Sequence, residues 1–129
     1  MIYRAKIPLR ISFSGGGTDV DPFCEKYGGK VISSTINKYI YASLEKRNDN
    51  FIKVNSLDYN QIVKFKIREK IAIKGNLKLV KAIINYFGPY KKGFNLNIHC
   101  DAPTGSGLGT RGCLGSMLIK LLHEFKNKK

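Results

Sequence analysis

Apolar and polar positions alternate through residues 2–14, IYRAKIPLRISFS, and isoleucine and aromatic side chains make up much of the apolar set. A period of two with such side chains predicts a half-buried strand, here bent at Pro8 and ended by Gly15-Gly16-Gly17. The following DPFCEKYGG reads as a short helix, with Asp21 as cap, Pro22 in the first helical position and Gly28-Gly29 as stop. Alternation then returns, with Tyr39, Tyr41 and Ser43 set against Ile40, Ala42 and Leu44. This stretch predicts two strands joined near Asn37-Lys38, followed by a turn at RNDN. FIKVNS and QIVKFKI each predict one further strand.

The period lengthens in NLKLVKAIINYFG, where Leu77, Val80, Ile84 and Phe87 fall at helical spacing, Asn76 is placed to cap and Gly88-Pro89 to terminate. GFNLNIHCDA reverts to period two, with Phe94, Leu96, Ile98 and Cys100 on one face. A last helix carries Leu114, Met117, Leu118, Leu121, Leu122 and Phe125 on one stripe and runs to a terminal KNKK that reads as a frayed tail. Strands and helices in this mixed order predict one α+β domain, a mostly antiparallel sheet with helices packed on it.

Composition changes this picture little. At 129 residues and 43% hydrophobic content the chain can bury a real core. The net charge of +14 comes mainly from dispersed lysines, the pattern of a solvated surface; nucleic acid or small anions are the functional competitors. Three cysteines without CxxC spacing argue against both a disulfide framework and a zinc site. MIYRAKIPLR carries charges too early for a signal peptide, and no apolar run is long enough for a membrane span, so a cytoplasmic, soluble domain is expected. His99, on the polar face of its strand, reads as solvated, and His123 as an answer to the helix dipole.

The candidate chemistry lies in PTGSGLGT, residues 103–110, between a strand and a helix. A helix start offers unpaired N–H groups and the positive end of the peptide dipoles, and glycines let the backbone approach an anion closely. Ser106 and Thr110 add hydroxyls, one of which is suited to a magnesium ion. No Gly-Lys-Ser/Thr follows, so this is not a Walker loop, and it does not match GxGxxG. A plain flexible connection is the alternative reading.

Two stretches together resemble the GHMP kinases, the superfamily of galacto-, homoserine, mevalonate and phosphomevalonate kinases. Pro103, Gly107, Leu108, Gly109 and Thr110 match its second motif. PLRISFSGGGTD is similar to its first motif, with Arg10, Thr18 and Asp19 in the motif's places. The triple glycine is similar to the branch of D-glycero-D-manno-heptose 7-phosphate kinases and fucokinase-like enzymes. The resemblance implies a fold like domain 2 of ribosomal protein S5 and an ATP- and Mg2+-dependent phosphotransferase. Its substrate would be a heptose 7-phosphate or similar sugar, in the supply of surface-polysaccharide precursors. It implies that Pro103, Gly105, Ser106, Gly107, Leu108, Gly109 and Thr110 wrap the nucleotide's phosphates and that Thr110 helps hold the metal. Arg10, Gly16, Gly17, Thr18 and Asp19 would line the acceptor pocket, Asp19 receiving sugar hydroxyls.

The chain departs from the family pattern in two places. Arg111-Gly112-Cys113 stands where the family has small Ser and Ala residues. Those small residues leave little room for a guanidinium, so Arg111 is expected to obstruct the cradle; pairing with phosphate is the other outcome. Only Glu124 is acidic after Asp101, so the catalytic base is unassigned, and residues 1–129 are expected to form a truncated N-terminal, ATP-binding domain without its C-terminal partner. A basic nucleic-acid-binding module and an inactive remnant are the alternatives; no membrane partner is expected.

Overall fold

A computed structural model describes residues 1–127. The elements are β1 (Ile2–Ser14), α1 (Phe23–Tyr27), β2 (Ile32–Lys46), β3 (Phe51–Ser56), β4 (Gln61–Lys66), α2 (Lys78–Phe87), β5 (Phe94–Cys100) and α3 (Thr110–Asn127). The strands form one sheet in the order β1-β2-β5-β3-β4, and every neighbouring pair is antiparallel except β3 with β5. The α+β reading holds. The parallel pair requires a crossover, and that crossover carries β4 and α2.

Period two is visible in the burial. Ile40, Leu44, Ile52, Val54, Phe94 and Leu96 point inward from the strands and meet Val80 and Ile84 of α2 and Leu118 and Leu122 of α3, each at most 1% exposed. Each such side chain contributes about 1.5–3 kcal/mol by leaving water. Edge-to-face contacts link Tyr90, Phe94, Phe125 and Tyr3 (centroids 5.1, 5.3 and 5.8 Å apart), fixing the C-terminal half of α3 against the sheet. The opposite end of α3 is thereby held where β5 delivers the glycine loop.

Several local expectations are corrected. Residues 32–46 form one strand, because the irregularity near Asn37-Lys38 is a bulge: Pro8 pairs with Tyr39 and Arg10 with Thr35, so three residues of β2 face Leu9 alone. Asp21 does not cap α1. Pro22 holds the N-cap position, and the Asp21 carboxylate accepts a hydrogen bond from the Cys24 thiol instead (2.7 Å). Asn76 does not cap α2 either; Leu77 is its N-cap, without a side-chain hydrogen bond. Of the tail, Lys126 and Asn127 belong to α3, and Lys128 and Lys129 lie outside the described residues. Among the described residues, no helix is long and apolar enough to cross a membrane.

Beyond the bulge only β1 and β2 pair, since β5 accompanies β2 from Ile40 to Lys46. This two-stranded ribbon carries the triple-glycine loop and α1. Ile11, Phe13, Val20, Phe23, Tyr27, Val31 and Ile32 are all exposed on it, and α1 buries no residue.

Candidate functional site

The connection from β5 to α3 is built by alternating backbone geometry. Gly105, Gly107 and Gly109 have φ of +79°, +72° and +73°, whereas Ser106 and Leu108 between them do not enter the left-handed region. Alternation of this kind turns successive N–H groups toward one concavity, the geometry of an anion-binding nest. The Ser106 N–H donates to the Pro103 carbonyl (3.3 Å), and the Cys113 N–H donates to the Gly109 carbonyl (3.1 Å), opening α3. A Cβ at Gly105 or Gly107 would meet nothing within 4 Å, so the space above both is open.

At Gly109 a Cβ would come within 3.0 Å of Arg10 Nε and 3.1 Å of its Cγ. The Arg10 N–H also donates to the Leu108 carbonyl (3.2 Å). The bulge at Leu9 brings this about, because it buries Leu9 and turns the next side chain toward the loop. Arg10 therefore stands against the glycine loop. Gly16, Gly17, Thr18 and Asp19 form a separate group at the ribbon's tip. There the Thr18 hydroxyl lies 2.7 Å from the Gly15 carbonyl and 3.0 Å from the Lys30 carbonyl, and it accepts the Lys30 N–H at 3.1 Å. Thr18 thus ties the loop together. Asp19 is exposed, with neither hydrogen bond nor ion pair to another described residue.

Under the glycine loop lies a cavity of about 450 Å³. Arg10, Gly105, Gly107, Gly109, Thr110 and Arg111 line it on the loop side, and Ile40, Leu77, Val80, Ile98 and Leu114 make its apolar walls. Arg111 is exposed and lies along this lining. Ser56, 2% exposed, is the buried polar residue of the core among the described residues and also lines the cavity. Its hydroxyl has no side-chain hydrogen bond to a described residue. Cys100 lines it too, and burial pushes that thiol's pKa up, keeping it neutral. The phase of FIKVNS, which places Ser56 inward with Ile52 and Val54, was the available sequence signal for this hydroxyl.

Sequence reasoning also missed the surroundings of His99. Its Nδ1 lies 3.4 Å from Asp58 Oδ1 and its Nε2 3.9 Å from Asp101 Oδ1. Asp58 sits in the β3–β4 turn, 41 residues before His99, and no sequence spacing links the two; the parallel β3–β5 pairing brings it there.

No protein-family model matches the chain. Across 128 residues it is 37% identical to the D-glycero-alpha-D-manno-heptose 7-phosphate kinase of Campylobacter jejuni, covering 96% of this chain and 38% of that protein. The bifunctional fucokinase/GDP-fucose pyrophosphorylase of Arabidopsis thaliana is 23% identical over 137 residues, with 96% and 13% covered. A D-glycero-D-manno-heptose 1-phosphate kinase from Bacteroides thetaiotaomicron superposes with a TM-score of 0.85 at 33% identity, over 97% of this chain and 42% of that one. The Methanococcus jannaschii mevalonate kinase has the same fold, with a TM-score of 0.81 at 22% identity, over 100% and 42%. The chain spans less than half the length of each of these relatives.

Proposed function

We propose that this chain, a relative of the GHMP kinases, is the N-terminal, nucleotide-binding domain of an ATP-dependent sugar kinase acting in the cytoplasm. One observation carries the reading: Arg10 of the first motif lies on Gly109 of the second, at the mouth of a cavity of about 450 Å³. A nucleoside suits the apolar walls, and its phosphates suit the nest, the helix start and two guanidinium groups. Thr110 would offer a metal its hydroxyl, a hard oxygen donor, and the phosphates would supply most other ligands. Magnesium, when bound, neutralises charge that develops on the phosphates. Arg10 orients and stabilises the anion from one side of the loop and Arg111 from the other.

The acceptor lies toward the ribbon tip. The unengaged carboxylate of Asp19 accepts hydroxyl hydrogens of a sugar, and Gly16 and Gly17 let it come close to the backbone. A heptose phosphate for surface-polysaccharide precursors is the substrate class we favour, since two heptose phosphate kinases are among the relatives. A nucleic-acid module is not favoured, because the relatives are kinases and RNA has no use for the paired motifs.

Titration calorimetry with MgATP on the intact chain tests the reading. Binding is expected, and Arg10→Ala should weaken it about tenfold or more, the loss of one charge-assisted contact. Absence of binding at millimolar MgATP, or an unaffected Arg10→Ala variant, overturns it.

A further inference from the structure

We propose that His99 is a positioning residue, a protonation-dependent latch that ties the β3–β4 turn to the root of the glycine loop. Its imidazole stands between two carboxylates that belong to different loops. Asp58 lies 3.4 Å from Nδ1 and lines the cavity; Asp101 lies 3.9 Å from Nε2 and begins the connection to Pro103. Each carboxylate is already engaged, Asp101 through its far oxygen Oδ2 and Asp58 through Oδ1, the oxygen that also faces His99. Asp58 accepts the Cys100 N–H (3.1 Å), and Asp101 accepts the Tyr39 N–H (2.9 Å) and the Tyr41 hydroxyl (3.4 Å). The Tyr41 ring lies near-parallel to the imidazole, at 12° with centroids 6.2 Å apart, and limits its rotation.

A neutral imidazole has one N–H to offer and can draw in one carboxylate; an imidazolium has two and can draw in both, from the 3.4 and 3.9 Å at which they stand. The latch therefore closes on protonation and opens as pH rises. Its charged surroundings come from every neighbouring element. Asp58 and Asp101 are the carboxylates that face it. Arg4 and Lys6 of β1, which line the same surface groove as His99, are the cations near it. Lys6 is drawn partly aside, 4.9 Å above the Tyr39 ring. Residues of both loops so joined line the cavity, and their separation sets how well a ligand is gripped. That last link rests on the nucleotide reading above; the latch itself rests on geometry alone.

Hydrogen exchange on the full chain at pH 5.5 and pH 8, corrected for intrinsic rates, tests the latch, and MgATP calorimetry at the same pH values tests its use. Amides of residues 57–60 and 101–109 should be about threefold or more better protected at the lower pH, and His99→Phe, which keeps a ring beside Tyr41, should abolish the difference. Asp58→Asn and Asp101→Asn each cut one side of the latch and should do the same, so the test survives if His99→Phe fails to fold. Relative to His99→Phe, the wild type should lose MgATP affinity between pH 5.5 and 8 by about threefold, the reciprocal of its loop coupling. Protection independent of pH in the wild type, or a pH dependence retained in all three variants, overturns the latch. A working latch with no differential effect on MgATP overturns the positioning role. If MgATP binds at neither pH, the nucleotide reading falls and exchange alone decides the latch.

Discussion

Gly107 and Gly109 have almost the same backbone conformation, yet their substitution by alanine should differ in effect. Both variants bear the left-handed penalty of about 1–2 kcal/mol for a residue with a Cβ. Gly107→Ala meets open space, whereas Gly109→Ala presses on Arg10 and must displace it. Urea unfolding should rank the two as similar or Gly109→Ala as slightly worse, while MgATP affinity should fall distinctly further in Gly109→Ala. Arg111 supplies a second contrast. It occupies the positive end of the dipole of α3, at a cost of about 0.3–1 kcal/mol, beside Gly112, which weakens the first turn further. The double replacement Arg111→Ser with Gly112→Ser should raise the melting stability of the free chain by about 1 kcal/mol. Because Arg111 runs along the cavity lining, the same change should weaken MgATP binding about tenfold. A gain in affinity would mean that the guanidinium obstructs the cradle.

The connection from β2 to β3 has to cross the end of β5, and a compact polar clasp secures it. The Arg47 N–H donates to the Gly93 carbonyl and the Gly93 N–H to the Asp49 carbonyl, both at 2.9 Å. The Arg47 guanidinium pairs with the Asp49 carboxylate and reaches Asn95 Oδ1 at 2.8 Å. That guanidinium hydrogen bond holds the Asp49 pKa down at about 2, against an ordinary 3.8. A depressed carboxylate stabilises the fold above its unfolded pKa, and the contribution is lost as pH falls through the folded one. Stability should therefore decline between about pH 4 and pH 2 more steeply in the wild type than in Asp49→Asn, as urea midpoints across that window would register. Asp49 is well exposed, so solvent screening keeps the effect small.

At the scale of the whole molecule, the sheet and the ribbon should differ in exchange behaviour. Amides of residues 40–46 pair on both sides and should be protected far better than those of 32–35, which pair with β1 alone. Equal protection in the two halves of β2 would mean that the ribbon is held by something else. The periodicities made most of this architecture legible: every strand and helix begins within a few residues of where alternation or helical spacing places it. The caps were not legible, since Asp21 and Asn76 have the right chemistry but a neighbouring thiol and a different helix start took precedence. Nor was the meeting of His99 with Asp58 and Asp101, because a strand's polar face gives no hint of which turn will lie beside it. The glycine loop was visible as a cradle, but its contact with Arg10 depends on three residues of β2 opposing one of β1. That bulge has a mechanical consequence. From Arg10 to Ser14 the ribbon is a lever about 16 Å long, at roughly 3.3 Å per residue, pivoting on Leu9, which is wholly buried. A rocking of about 10° at such a pivot carries the tip, and Asp19 beyond it, through about 3 Å, close to the separation of reacting atoms in a near-attack geometry. Arg10, beside the fulcrum, barely moves. On the proposed placement of acceptor and phosphates, the gap between them would then be tuned by the stiffness of two irregularities in one strand pair, at Leu9 and between Ser12 and Ser14, while the grip on the phosphates stays constant.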